Sequence, residues 1–560
     1  MSDSIRFRLV QLNPVIGDIR GNTAKIVQCY RQAEADGIDL VIFPELSVTG
    51  YPPMDLLERP AFQERVAKAV AEIETATGQT AILFGTPTPN ASGTGRRIYN
   101  SAILASGGLR LDIVHKSLLP TYDVFDDFRY FEPNKEFKLI DFRGIKLGIS
   151  ICEDFWNNEN EVIYHRYDLD IAKLHKKMGA DLLINISASP YSKQKSEKRV
   201  SMLEGHALDT GLPMLYCNQA GANTEVIFDG DSIAMSGSGT IVSRAPLFTE
   251  ASLDVDFADH QLRAVTPPAA VPQKTERLFH ALVNGLRDYV HKSRMQGDIV
   301  LGLSGGIDSA LVAVLAAEAL GPEKVHAVMM PSAFSSDHSV SDSEILARNL
   351  GINVLSIPIQ PAFETLQSML KPVFNDLPFS IAEENLQSRS RGVVLMALSN
   401  KFGWMLLNTG NKSEMATGYC TLYGDMAGGL SVIADVYKTE VFELCRWLNG
   451  SYYGREVIPT SIITKAPSAE LRPNQKDADS LPEYDILDAI LEAYIEHQHS
   501  RDRIIAMGFQ SSLVDRVIAL VDRNEYKRRQ AAPGLRVSKK AFGYGRRLPI
   551  VQGWTGHESE

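Results

Sequence analysis

At 560 residues the chain is too long for one ordinary core and is expected to hold two or three domains. Hydrophobic residues at 44% and charged residues at 22% give the balance of a globular protein, not of a disordered or fibrous one. A net charge of −11 argues against a nucleic-acid binder, and no apolar run reaches the ~20 residues of a membrane span.

Residues 1–262 alternate short apolar runs with amphipathic stretches. Strands are predicted at Arg6–Gln11, Leu40–Phe43, Ala81–Phe84, Ser101–Ala105, Leu109–His115, Ile145–Ile151, Leu182–Ile186 and Met214–Asn218. Helical spacing covers 22–36, 61–77, 168–178 and 196–210. Gly107-Gly108 joins two strand runs and predicts a hairpin. The N-terminus, MSDSIRFRLV, reads as a strand rather than a signal peptide. Three prolines in "RAVTPPAAVPQKTE" mark 263–276 as a linker.

Beyond it a helix at 275–293 precedes a second α/β segment, 277–560. Strands are expected at 299–303, 325–330, 353–358 and 404–409, with a helix at 341–350. Polar, turn-rich stretches at 331–342 and 466–480 are candidate mobile loops. The five cysteines are scattered and odd in number, and no C-x-x-C occurs. That pattern excludes a disulfide framework and a zinc site and fits a reducing compartment such as the cytoplasm.

Two stretches carry chemistry. In "VLGLSGGIDSALV" an apolar strand runs into Ser304-Gly305-Gly306 and then a helix near Asp308. Two glycines let backbone N–H groups approach a ligand, and the helix start favours an anion. No lysine follows the glycines, so this is not a Walker A loop, and the spacing is not that of a dinucleotide fingerprint. Asp308 offers one ligand to Mg²⁺, which commonly takes one or two carboxylates plus phosphate oxygens.

In the first half, Cys152 ends the run "GISICEDFW", Glu45 follows the run in "VIFPELS", and Lys116 follows another in "IVHKSLLP". A cysteine at a strand end is more often packing than chemistry, and lone charges usually lie exposed. Three strand ends meeting at one sheet edge would change that. A carboxylate takes the thiol proton, and an ammonium steadies the thiolate and an oxyanion.

The S-G-G-I-D-S string resembles the pyrophosphate loop of the ATP-pyrophosphatase (adenylating) enzymes. The Glu, Lys and Cys motifs, over roughly 5–260, resemble the nitrilase (carbon–nitrogen hydrolase) superfamily. The combination is similar to the glutamine-dependent NAD⁺ synthetase family, as are "ENLQSRSRGVVLMALSNKFGW" and "NTGNKSEMATGYCTLYGDMAGGLSVIADVYKTEVFELCRW".

The resemblance implies an α/β fold: an N-terminal α-β-β-α sandwich and a C-terminal Rossmann-like parallel sheet. It implies amidation of deamido-NAD⁺ to NAD⁺ through an adenylate, with ATP and glutamine (or ammonia) as co-substrates and Mg²⁺ as cofactor. Glu45 is then the proton acceptor, Lys116 the charge stabiliser and Cys152 the nucleophile; the second acid is Asp127 or Glu132. Tyr122, Ser189 and Lys195 would hold glutamine, Lys195 with a point charge rather than a bidentate fork. Gly302, Leu303, Ser304, Gly305, Gly306, Ile307, Asp308, Ser309 and Thr409 would hold ATP. Asn385, Glu414 and Lys527 would contact deamido-NAD⁺, with Asp308 and Glu414 as metal ligands. The alternative role for Lys527 is on a plain surface helix. A homo-oligomer is implied, a dimer of synthetase domains or an octamer. Another adenylating amidotransferase, acting on a different nucleotide carboxylate, is the rival reading.

Overall fold

The computed structural model describes residues 4–156, 167–295, 297–375, 377–468, 470–472, 475 and 477–554. The chain divides into two compact units, Met1–Gln273 and Lys274–Glu560.

The first unit stacks two sheets between helices. One sheet has seven strands, in the order Gln261–Ala264, Ala251–Ala258, Ile5–Gln11, Leu40–Ile42, Ala81–Pro89, Ile98–Ser106, Leu109–His115. The other has six: Ile241–Arg244, Ile233–Met235, Met214–Asn218, Leu182–Ser187, Ile145–Ile151, Ile140–Phe142. Strand side chains alternate between faces. Leu40 and Ile42 therefore meet Ile149, Ile184 and Leu215 between the sheets. Val41 and Phe43 meet Ile26, Tyr30, Val66 and Ile73 from helices Ile19–Ala35 and Pro60–Thr75. On the far side, helices Ile171–Met178 and Lys195–Thr210 cover Leu183, Met214 and Tyr216. This is the α-β-β-α sandwich. The expected hairpin joins Ile98–Ser106 to Leu109–His115, with Gly107 and Gly108 both at positive φ.

The second unit holds a parallel five-stranded sheet ordered Asn353–Ser356, Val325–Met329, Ile299–Gly302, Met405–Asn408, Leu430–Ser431. The chain starts at the central strand, winds outward one way, then returns to build the other side. The reversal lies between Ile299–Gly302 and Met405–Asn408, and ligands of such sheets bind beyond the strands' carboxyl ends at this point. Helices Lys274–Lys292, Ile307–Leu320 and Lys438–Trp447 pack on one another. Leu395, from helix Ile381–Phe402, joins Val300, Val328 and Leu406.

The short edge strand Leu430–Ser431 is flanked by a late segment. Ser431 N–H donates to Pro533 O (2.8 Å), and Gly534 bridges Ser431. Lys412, fully buried, pairs with Asp435 (2.8 Å) and Glu496 (2.7 Å) and donates to Ser538 Oγ (2.6 Å).

Of the stretch expected to be a mobile loop at 331–342, residues 337–342 are helical. They open helix Asp337–Leu350, where Ser336 Oγ accepts from Ser339 N–H at 3.2 Å. Serines at a helix start read as loop residues, yet they serve as caps. Within 466–480, residues 469, 473, 474 and 476 lie outside the described residues. Among the described residues no helix is long and apolar enough to cross a membrane.

Candidate active sites

Each unit carries one polar site at the ends of its strands. In the first unit, Glu45 leaves strand Leu40–Ile42, Lys116 leaves Leu109–His115, and Cys152 opens a 3₁₀ turn after Ile145–Ile151. A Cβ on Gly85 would lie 2.4 Å from Leu46 N and 2.5 Å from Pro44 O, so only glycine lets the Glu45 turn settle there.

Lys116, 1% exposed, joins two carboxylates: its Nζ donates to Glu45 Oε1 (2.7 Å) and Asp127 Oδ2 (2.6 Å). Of the two candidate acids, Asp127 is the one that reaches Lys116; Glu132 instead accepts from Arg96 N–H at 2.8 Å. Glu45 Oε1 also accepts from Asn100 Nδ2 (2.7 Å), and Oε2 from Ala188 N–H (3.0 Å). Tyr51 donates to Asp127 Oδ1 at 2.8 Å.

Burial alone would lower the Lys116 pKa, but Asp127 and Glu45 hold the ammonium well above the usual lysine range. Cys152 is buried at φ +45°, a conformation rare for a side-chain-bearing residue. Burial and then Glu45 push its thiol up, while Lys116 pulls it down. The thiol thus lies in the field of one carboxylate and one ammonium, the residue types that nucleophilic thiol chemistry needs nearby.

Next to Cys152, Glu153 accepts from Tyr122 OH on both oxygens (3.0 and 3.0 Å) and from Tyr167 OH (3.2 Å). Burial pushes its pKa up to about 7, against the pull of Lys116 and Lys195. Lys195, at the start of helix Lys195–Thr210, stands 3.3 Å over the Trp156 ring. Ser189 is buried, its N–H donating to Asn218 Oδ1 (2.9 Å). Glu153 thus lies in the field of Cys152 and of Lys195, an anion and a cation close together, a pairing suited to an amino-acid zwitterion. In "ICEDFW" nothing local marks Glu153 for a role, because only burial distinguishes it from a solvated acid.

In the second unit a cavity of about 300 Å³ opens where the strand order reverses. All of Gly302, Leu303, Ser304, Gly305, Gly306, Ile307, Asp308 and Ser309 line it, with Thr409 and Glu414 opposite. Gly306 caps helix Ile307–Leu320. Gly305 has φ +76°, and a Cβ there would lie 2.4 Å from Ser339 O. Ser309 Oγ donates to Gly306 O (3.0 Å) and lies 3.1 Å from Ser304 Oγ.

The loop itself has no lysine, as its sequence says, but the cavity does. Lys438 and Lys465 enter it from distant segments. Lys438 pairs with Asp308 and lies 3.5 Å from Glu414 Oε1; Lys465 donates to Glu470 Oε1 (2.6 Å) and Ser339 Oγ (2.8 Å). A pattern search over a contiguous loop misses charges that tertiary folding delivers.

Asn411 Nδ2 donates to Asp308 Oδ1 (2.9 Å) and so fixes the acid's rotamer. Burial and then Asp308 push Glu414 up to about 8, against Lys438. The two half-buried carboxylates converge on the Lys438 ammonium, and the same pair suits a divalent cation that fills its other positions with phosphate oxygens. Among the described residues no cluster of three or more His, Cys, Asp or Glu stands ready for a metal.

Asn385 and Lys527 sit beside the cavity wall. Asn385 Oδ1 accepts from Thr421 Oγ1 (2.8 Å), and Lys527 Nζ donates to Gly418 O and Cys420 O (2.7 Å each). Cys420 lines the cavity.

Residues 6–265 match the carbon–nitrogen hydrolase family model and residues 278–531 the NAD synthase model. The glutamine-dependent NAD(+) synthetase of Synechocystis sp. is 48% identical over 97% of this chain and 98% of its own length. That of Thermotoga maritima is 42% identical over 98% of each. The Acinetobacter baumannii glutamine-dependent NAD⁺ synthetase, solved with adenosine diphosphate, superposes with a TM-score of 0.78 at 41% identity, over 99% of this chain and 100% of that one. The chain belongs to the glutamine-dependent NAD(+) synthetase family.

Proposed function

We propose that this chain amidates deamido-NAD⁺ to NAD⁺ with glutamine and ATP, releasing glutamate, AMP and pyrophosphate, the last step of NAD⁺ biosynthesis. The observation that carries the reading is one chain holding both a buried Glu45–Lys116–Cys152 site and a switch-point cavity lined by the Gly302–Ser309 loop.

Glu45 takes the Cys152 proton as sulfur attacks the glutamine side-chain carbonyl. Lys116 stabilises the oxyanion. Glu45 returns the proton to the departing ammonia, and water then cleaves the thioester to give glutamate. Lys195 holds the glutamine α-carboxylate and Glu153 its ammonium, with Tyr122 orienting Glu153 and Ser189 lining the pocket.

At the second site the nicotinate carboxylate attacks the α phosphorus of ATP, and the α–β bridging oxygen leaves with pyrophosphate. Backbone N–H groups of Gly305 and Gly306, Ser304, Ser309 and the ammonium groups of Lys438 and Lys465 receive the pyrophosphate. Ammonia then displaces AMP from the acyl adenylate. Asp308 and Glu414 would hold Mg²⁺, which when bound neutralises phosphate charge. Thr409 faces the nucleotide. Asn385 and Lys527 shape the dinucleotide side of the wall through the 418–421 turn.

A homo-oligomer is supported by apolar residues left uncovered on two helices: Met369 and Val373 on Gln360–Phe374, and Ile381 and Val393 on Ile381–Phe402. A reducing cytoplasm suits the free thiol of Cys152. Product analysis with ATP, glutamine and deamido-NAD⁺ tests the whole: NAD⁺, AMP and pyrophosphate in equal amounts support it. Formation of ADP and orthophosphate, or amidation of another nucleotide in preference, refutes it.

A further inference from the structure

The nucleophile and its cation belong to different sheets, and no strand ladder joins them. Lys116 follows the edge strand of the seven-stranded sheet, whereas Cys152 follows a strand of the six-stranded sheet. One buried side chain connects the two turns. Asp154 Oδ1 accepts from Ser117 N–H (3.0 Å) and Leu118 N–H (2.8 Å), the two residues after Lys116. Its other oxygen, Oδ2, accepts from Ile151 N–H (2.9 Å), the residue before Cys152.

We propose that Asp154 is a positioning residue for glutamine hydrolysis, locking the turn that carries Lys116 to the turn that carries Cys152. The proposal rests on reading Cys152 as the nucleophile. Three directional bonds on one carboxylate fix both the separation and the rotation of the two turns. The lock is needed because Cys152 sits at φ +45°, a state that persists only where its surroundings over-determine it. It is also needed because a displacement of 1 Å between reacting groups costs about 10²-fold in rate.

The carboxylate touches neither Lys116 Nζ, which is held by Glu45 and Asp127, nor the Tyr122 and Tyr167 hydroxyls, which serve Glu153. Burial pushes the Asp154 pKa up to about 6, against the backbone N–H groups of Ile151 and Leu118, the Lys116 charge and the Ser117 N–H. Three backbone N–H donors aimed at it favour the side chain as an acceptor, in a place where an apolar residue would avoid the desolvation cost.

Asp154→Asn tests the lock at one point. The amide oxygen still accepts from Ser117 and Leu118, but the NH₂ group meets the Ile151 N–H, donor against donor. We expect kcat for glutamine hydrolysis to fall at least tenfold with KM within threefold of wild type. Asp154→Ala, which frees both turns, should cost at least a hundredfold.

To separate positioning from collapse of the pocket, glutamine binding is measured by calorimetry in Cys152→Ala with and without Asp154→Asn. Dissociation constants within threefold support positioning; a weakening beyond threefold assigns Asp154 a purely structural role and overturns the proposal. So does a kcat for Asp154→Asn within tenfold of wild type. If Cys152→Ala itself still hydrolyses glutamine, the reading of the nucleophile fails instead, whatever Asp154→Asn does.

Discussion

Lys116→Met isolates the charge balance of the first site. The ammonium is the shared partner of Glu45 and Asp127, and all three groups are buried. Removing one partner of a buried ion pair costs about 3–5 kcal/mol, because a charge is left without compensation. Loss of the ammonium strands two carboxylates, so that cost taken once is a lower bound. For a unit of this size, Met1–Gln273, each kcal/mol moves the melting temperature by about 2–4 °C, which gives a fall of roughly 6–20 °C. Glutamine hydrolysis should drop by about 10²–10³-fold through loss of oxyanion stabilisation. The informative partner is Lys116→Met/Asp127→Asn, which removes one stranded charge. About half of the lost Tm should return, while hydrolysis stays down. Scanning calorimetry and a glutamate-release assay on both variants suffice. A single variant melting within ~2 °C of wild type, or a double variant that regains hydrolysis, refutes the charge argument.

Cys152→Ala should abolish glutamine-driven NAD⁺ synthesis and leave ammonium-driven synthesis within about twofold, read from NAD⁺ formed with each donor. Asp308→Ala should abolish both; ammonium-driven synthesis that survives rejects its place at the nucleotide. Gly305→Ala puts a Cβ 2.4 Å from Ser339 O at φ +76°, so the KM for ATP should rise at least about tenfold in steady-state assays while glutamine hydrolysis is unchanged. Glu153 has its pKa raised to about 7 and is proposed to bind the glutamine ammonium in its ionised form. The KM for glutamine should therefore rise about tenfold per unit as pH falls below 7 and level off above it. A KM flat between pH 5.5 and 8 removes Glu153 from the binding step.

Much of this was legible in the residues. Strands flanked by glycine or loop residues, such as the half-exposed Leu109–His115 and the mostly buried Ile145–Ile151, have ends that the sequence marks clearly. The strand Ala251–Ala258 escaped notice because Asp254 and Asp256 make its outer face polar. They pair with Arg8 and Arg6 on the neighbouring strand, a compensation invisible until the two are side by side. Glu45, Lys116 and Cys152 announce themselves by position after apolar runs, but the choice between Asp127 and Glu132 depends on which carboxylate folds back onto Lys116. Lys438 lies 130 residues from the Asp308 it neutralises, so no local spacing rule could have paired them.

The pairing of Lys412 with Ser538 bears on how the protein is made. Domains mature as units during synthesis, amino-terminal first. The amide-splitting half has its whole sheet sequence once residue 264 has left the ribosome. The nucleotide-activating half must wait for Val537 and Ser538, whose backbone N–H groups complete the shell of Asp435 at 2.8 and 2.7 Å. A nascent chain stalled between these points would carry a finished ammonia source and an unfinished consumer.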